Sequence, residues 1–216
     1  MRVTFIRHGA SEWTGQPILC GHADIPLSSV GVAQANALAA HLRGRQFAAL
    51  WSSPLQRAQQ TAACVAHAIG HVVVTDPRLM EMDLGTLDGQ RFDQLPRGPK
   101  TFRDRWQRDP VRVRFPRGEN LGDVSKRTWQ VLGELYDRHP QDHVVVVSHL
   151  FAIQTLLCRA LSIPLKQFRT FNIDTAAITT VQMDKSGFRL LLLNDGRHLD
   201  EISAAHSLRA PSLPPR

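Results

Sequence analysis

The sequence predicts an α/β fold: a three-layer sandwich with a mostly parallel, mixed central sheet flanked by helices, and a lid-like insertion over residues 86–119. Three observations carry this. Short runs rich in β-branched and aromatic residues alternate with segments whose apolar residues recur at helical spacing. One of these runs, Val144-Val145-Val146-Val147, is apolar without interruption, as a strand buried on both faces requires. Two alternating stretches flank Lys185-Ser186-Gly187, a hairpin that brings antiparallel pairing into the sheet.

Each element follows in order. The first strand carries Val3, Phe5 and Ile6 and stops on Arg7-His8-Gly9. A loop over residues 10–27 is punctuated by Gly15, Pro17, Gly21 and Pro26. Ser28 or Ser29 caps a helix with Val32, Ala35, Leu38, Ala39 and Leu42 on one face, ending near Gly44. After a strand at 48–52, Ser53 as cap and Pro54 at the first helical position start a second helix. It turns Leu55, Ala58, Ala62 and Val65 inward and stops at Gly70. Residues 72–75 form a third strand; residues 76–85 have too little periodicity for an element. The Arg-, Pro- and Gly-rich insertion holds one short helix around 102–106. Asn120 caps a long helix facing inward through Leu121, Val124, Thr128, Val131, Leu132 and Leu135. The strand at 142–149 leads directly into a helix at 150–161, and strands at 176–183 and 188–193 complete one domain over residues 1–203. The Pro-rich tail, 204–216, is expected to be disordered.

At 43% hydrophobic and 21% charged, the composition is that of a soluble globular protein, with no apolar run as long as a membrane span. Met1 runs straight into the first strand with no signal-peptide pattern. Cys20, Cys64 and Cys158 are odd in number and widely spaced, so reduced thiols and a cytoplasmic location are expected. No His/Cys/Asp/Glu spacing suggests a metal site. The formal net charge of +7 is concentrated: from Arg91 to Arg117, eight arginines and one lysine stand against three aspartates. Nucleic-acid binding is disfavoured, because stacking aromatics are not interleaved at regular spacing and no zinc-finger or RNA-binding signature occurs. An electropositive rim overhanging a pocket for anionic substrates and an Arg-rich solvated face both remain open.

Ligands of open α/β sheets bind beyond the carboxyl ends of the strands, and four basic groups converge there. His8 follows the first strand, with Arg7 beside it; His149 follows the most apolar strand; Arg57 lies in the first turn of the second helix, whose N-terminus favours an anion. Two arginines and one imidazole could hold the oxygens of a phosphoryl group while the other imidazole attacks in line, with no metal needed to neutralise charge. An acid for the leaving alkoxide is also required, and Glu81, Asp83 and Glu119 are the carboxylates available.

At these residues the sequence resembles the histidine phosphatase superfamily, which includes phosphoglycerate mutases and many phosphatases. The matching stretches, in order, are Arg7-His8-Gly9, Leu27-Ser28 with Gly31, Ser52-Ser53-Pro54-Leu55-Gln56-Arg57-Ala58 with Thr61-Ala62, Leu79-Met80-Glu81-Met82-Asp83-Leu84-Gly85, Pro116-Arg117-Gly118-Glu119 and Val147-Ser148-His149. They span roughly residues 1–195, and this order is far more specific than any one motif. The resemblance implies that His8 is the nucleophile that becomes phosphohistidine. It makes Arg7, Arg57 and His149 the phosphate pocket and favours Glu81 as the proton donor. Thr14, Cys20 and Gly21 are carried over as substrate-binding positions, and no cofactor is implied.

Departures bear on the substrate. Ala10-Ser11-Glu12-Trp13-Thr14 replaces the family's usual Glu-Thr-x-Trp-Asn, Cys20 stands where phosphatases often carry Gln, and Leu150 where Gly is common. The reading is a metal-independent phosphomonoesterase acting on a small phosphorylated metabolite. The alternatives are a phosphoglycerate mutase and a catalytically silent anion- or nucleic-acid-binding module. His22 lies on the substrate-side loop; His41, His67 and His71 read as surface groups, and His139 and His143 sit at the far end of the central strand.

Overall fold

A computed structural model describes residues 1–202; the tail expected to be disordered lies outside the described residues. Six strands form one sheet: β1 (Arg2–Arg7), β2 (Ala49–Ser52), β3 (Val73–Thr75), β4 (His143–Ser148), β5 (Ile178–Asp184) and β6 (Gly187–Asp195). The sheet is accompanied, among the described residues, by α1 (Ser29–Leu42), α2 (Gln56–Ile69), α3 (Phe102–Arg108), α4 (Leu121–Arg138) and α5 (Leu150–Ala160). The strand order is β3-β2-β4-β1-β5-β6. β3, β2, β4 and β1 run parallel; β5 is antiparallel to β1, and β6 to β5.

The period of two along β4 divides the core. Val145 and Val147 pack with Ile6, Leu38, Leu42, Ala58, Ala62 and Val65, so α1 and α2 cover one face. Val144 and Val146 pack with Phe5, Leu121, Val131, Leu132, Ile153 and Leu157, so α4 and α5 cover the other. All six positions of α4 expected to face inward are buried. A fully buried Leu or Val contributes about 1.5–3 kcal/mol, so this seam is a main source of stability. The N-terminus of α4 is closed by a reciprocal capping box between Asn120 and Asp123.

The insertion is rooted in that second layer. Trp106 and Phe115 are almost fully buried in it, with Trp106 6.0 Å from Phe151 and 6.3 Å from Phe168 between ring centroids. Its first part is stitched to the loop after β1, where Leu19 N–H donates to Gln90 O and Phe92 N–H to Pro17 O.

Two local expectations are corrected. α2 begins at Gln56, two residues after Pro54, and Ser53 makes no helix cap. Asp24 from the preceding loop accepts from Gln56 N at 2.7 Å instead, which leaves the Ser53 hydroxyl for the site below. Val32 of α1, expected to face inward, is exposed, and Val72, expected within a strand, is exposed just before β3, which starts at Val73.

Candidate active site

β1 and β4 are neighbours in parallel register, with Arg7 opposite Ser148. The residue after each strand is therefore the next pair across the sheet: His8 and His149. Their ring centroids are 4.9 Å apart. The turn after β1 is held close to α1, since a Cβ on Gly9 would lie 2.6 Å from Gly31 O and one on Gly31 only 1.9 Å from Ala10 O. Only glycine permits that approach. Gly9 N–H is taken by Thr61 Oγ1 and Ala10 N–H by Gln34 Oε1, which ties the turn to α2 and α1.

The tautomer of His8 follows from its contacts. Nδ1 lies 2.7 Å from Gly9 O, an acceptor only, so Nδ1 carries the proton. Nε2 then keeps its lone pair, which accepts from Arg57 Nε at 3.3 Å. Burial, then the charges of Arg57 and Arg7, hold the His8 pKa well below the ordinary imidazole value. Burial and the charge of Arg57 do the same for His149. Both imidazoles are thus neutral near pH 7.

Arg57, 1% exposed, projects from the first turn of α2. Its Nη1 donates to Ala23 O at 2.8 Å and its Nη2 to Gly21 O at 2.7 Å. That loop is braced from the insertion, because the two carboxylate oxygens of Asp88 accept from Gly21 N and Ala23 N. Three of the five guanidinium N–H groups are used, leaving one on each Nη. Arg7 Nη1 donates to Ile173 O at 2.7 Å.

His149 pairs through Nε2 with Ser53 Oγ at 2.7 Å, which explains why Ser53 does not cap α2. Among the described residues, three buried side-chain polar atoms have no protein partner: Arg7 Nε, His149 Nδ1 and Gln154 Oε1. Two of the three belong to groups flanking His8. An unpaired polar atom in a protein interior costs about 1–3 kcal/mol, and an anion beside His8 could offset that cost at both atoms.

Glu81 lies at the N-terminus of α5. One carboxylate oxygen accepts from Met82 N at 2.9 Å, and both are within 3.2 Å of Phe151 N. These donors, with Arg57 and Arg7, favour the anion, but burial outweighs them and raises the pKa above the ordinary carboxylate value. The rival carboxylates are engaged elsewhere: Asp83 Oδ1 accepts from Gly85 N, and Glu119 pairs with Arg127 at 2.8 Å.

The remaining positions differ in their surroundings. Cys20 is half-buried within reach of the charges of Arg57, Asp88, Glu81 and Arg7, and burial pushes its thiol pKa up. Gly21 is buried and serves Arg57 through its carbonyl. The Thr14 hydroxyl accepts from Ser11 N and pairs with Ser11 Oγ, closing its own loop. His22 Nε2 donates to Glu81 O, an acceptor only, at 2.8 Å. Sequence reasoning missed Ser53 as the partner of His149, and also Asp88, Asp24 and Arg127. Each acts on a residue distant in sequence, so local pattern carries no sign of it.

The fold and this cluster define an α/β enzyme with a buried imidazole, its Nε2 lone pair facing Arg57, set among donors for an anion. Residues 3–196 match the histidine phosphatase superfamily (branch 1), and the chain belongs to that family. It is 33% identical over 203 residues to phosphoserine phosphatase 1 of Hydrogenobacter thermophilus, covering 94% of this chain and 96% of that one. It is 29% identical over 205 residues to the Yersinia pestis protein named "Probable phosphoglycerate mutase GpmB", covering 93% and 95%. The structure of mycobacterial glucosyl-3-phosphoglycerate phosphatase superposes with a TM-score of 0.81 at 28% identity, over 90% of this chain and 99% of that one.

Proposed function

We propose that this chain is a phosphomonoesterase that hydrolyses a small phosphorylated metabolite through a phosphohistidine on His8. The observation that carries the reading is the pairing of a lone pair on His8 Nε2 with two unpartnered buried polar atoms beside it, Arg7 Nε and His149 Nδ1. Phosphatase relatives along nearly the whole chain support the same class of reaction.

In the first step the Nε2 lone pair attacks phosphorus and the bond from phosphorus to the ester oxygen breaks. Arg57 Nε–H passes from Nε2 to a phosphoryl oxygen as the lone pair is committed. Arg7, the free Arg57 N–H groups and His149 Nδ1–H, with Ser53 donating to Nε2, meet the charge on the other oxygens. Glu81, whose protonated form burial favours, gives its proton to the departing alkoxide. In the second step the Glu81 carboxylate takes a proton from water, the oxygen bonds to phosphorus, and the P–N bond breaks to return the lone pair to Nε2.

Similarity to a protein named as a phosphoglycerate mutase favours one rival, in which a second hydroxyl receives the phosphoryl group in place of water. Parallel assays decide between them: release of inorganic phosphate from p-nitrophenyl phosphate, and formation of 2-phosphoglycerate from 3-phosphoglycerate. Hydrolysis without isomerisation is expected; isomerisation faster than phosphate release would overturn the hydrolase reading.

A further inference from the structure

We propose that Glu119 and Arg127 form a positioning device for the carboxyl group of Glu81, and that this is the work of the Pro116-Arg117-Gly118-Glu119 motif. The inference rests on the reading of Glu81 as the acid.

Glu81 belongs to a stretch between β3 and the insertion that has no strand ladder to fix it. Arg127, on α4, supplies the missing restraint. Its Nη1 donates to Arg78 O at 2.7 Å and to Met80 O at 2.6 Å, and its Nη2 to Glu81 O at 2.8 Å. The remaining N–H groups, on Nε and Nη2, donate to Glu119 Oε1 at 2.8 Å and Oε2 at 2.9 Å. All five guanidinium protons are thereby used, three on carbonyls of the segment that carries the acid.

Glu119 closes the other side. Its Oε2 also accepts from Asp83 N, and its own N–H donates to Asp83 O, both at 2.9 Å. The approach depends on the preceding residue, since a Cβ on Gly118 would lie 2.3 Å from Asp83 O. The motif therefore presses the end of the insertion against the residues just after Glu81, while Arg127 holds those just before it. His22 from the loop that carries the Arg57 acceptors shares Glu81 O with Arg127, joining the acid to the phosphate pocket.

A planar fork with five fixed donors can hold three carbonyls and a carboxylate together; the three rotatable donors of lysine cannot. Arg127→Lys keeps the charge and loosens the backbone that aims Glu81. The rival is a clamp that merely stabilises the fold, which would affect every substrate alike.

The test is a cycle of Arg127→Lys, Glu81→Gln and the double variant. Single-turnover phosphorylation of His8 is measured with p-nitrophenyl phosphate and with phosphoserine as an alkyl phosphate. Arg127→Lys is expected to slow the alkyl phosphate about 30-fold and p-nitrophenyl phosphate less than about threefold, because the phenolate leaves without an acid. On the Glu81→Gln background it is expected to add little, as two changes acting through one group do not sum. Equal losses with both substrates, or an undiminished loss on that background, would overturn the proposal. If Glu81→Gln itself failed to discriminate between the substrates, the acid assignment would fall and the Arg127 inference with it. Should Arg127→Lys not fold, Glu119→Gln takes its place in the same cycle.

Discussion

Arginine is put to opposite uses in two regions of this molecule. Arg57 and Arg127, beside His8 and Glu81, are buried or nearly so and donate to backbone carbonyls thirty-four to forty-nine positions removed along the chain. In the insertion the guanidinium groups lie outside. Arg91, Arg108 and Arg112 pair with Asp93, Asp104 and Asp109, each within four residues, and Arg108 and Arg112 are 74% and 87% exposed. Arg114 pairs with Asp123, and Arg103 donates to the carbonyls of Phe92 and Asp93 while stacking on Phe92. The pocket arginines face a low-dielectric site where charge is strongly felt; those of the insertion face water, where a pair is worth about 0–1 kcal/mol. Net charge alone misleads here. In the segment with most of the +7 excess, Arg91, Arg108 and Arg112 are paired with aspartates of the same segment, whereas the field at His8 comes from the buried Arg57 and Arg7.

The comparison breaks most readily at Arg57. Arg57→Lys keeps a cation but loses the fork that spans Gly21 O, Ala23 O and the His8 lone pair. kcat/KM is expected to fall about 100- to 1000-fold, with weaker inhibition by inorganic phosphate. A loss under tenfold would mean that Arg57 is no more central than the arginines of the insertion.

The pH profile tests the buried groups next. The proposed phosphorylation step requires His8 neutral and Glu81 protonated. Burial lowers the His8 pKa and raises that of Glu81, so the two shifts widen the range in which both conditions are met. The phosphorylation rate for an alkyl phosphate should fall as pH rises through the raised Glu81 pKa. Glu81→Gln should abolish that alkaline limb; its persistence would assign the limb to another group.

The smallest effect is expected in the insertion. Arg108→Gln with Arg112→Gln should alter kcat/KM less than about twofold at physiological salt, for neutral and acidic substrates alike. A selective loss for a phosphorylated acid at low salt, vanishing at high salt where the wild-type advantage is screened, would favour the electropositive rim.

The fold was legible where patterning was strong. The unbroken valines of β4, the helical seam of α4 and the hairpin at Lys185-Ser186-Gly187 each left one reading. His8, His149, Arg7 and Arg57 could be gathered from sequence because parallel strands end side by side. The braces could not. Ser53 had a good local role as a helix cap, and Asp24 displaced it through a contact 32 residues away. Asp88 and Arg127 act through backbone atoms, which every residue possesses, so no sequence signal names their partners. Residues 76–85 lacked periodicity because side chains from α4 and the insertion hold them, not a ladder.

The central claim is that His8 attacks through Nε2, since Gly9 O holds the Nδ1 proton. The most direct measurement is phosphorus NMR of the denatured phosphoenzyme trapped at high pH, with peptide mapping of the labelled residue. A phosphoryl group on Nε2 of His8, absent in His8→Ala, is the result the geometry predicts. A phosphoryl group on Nδ1 or on His149, or turnover with no phosphoenzyme at any time point, would contradict it.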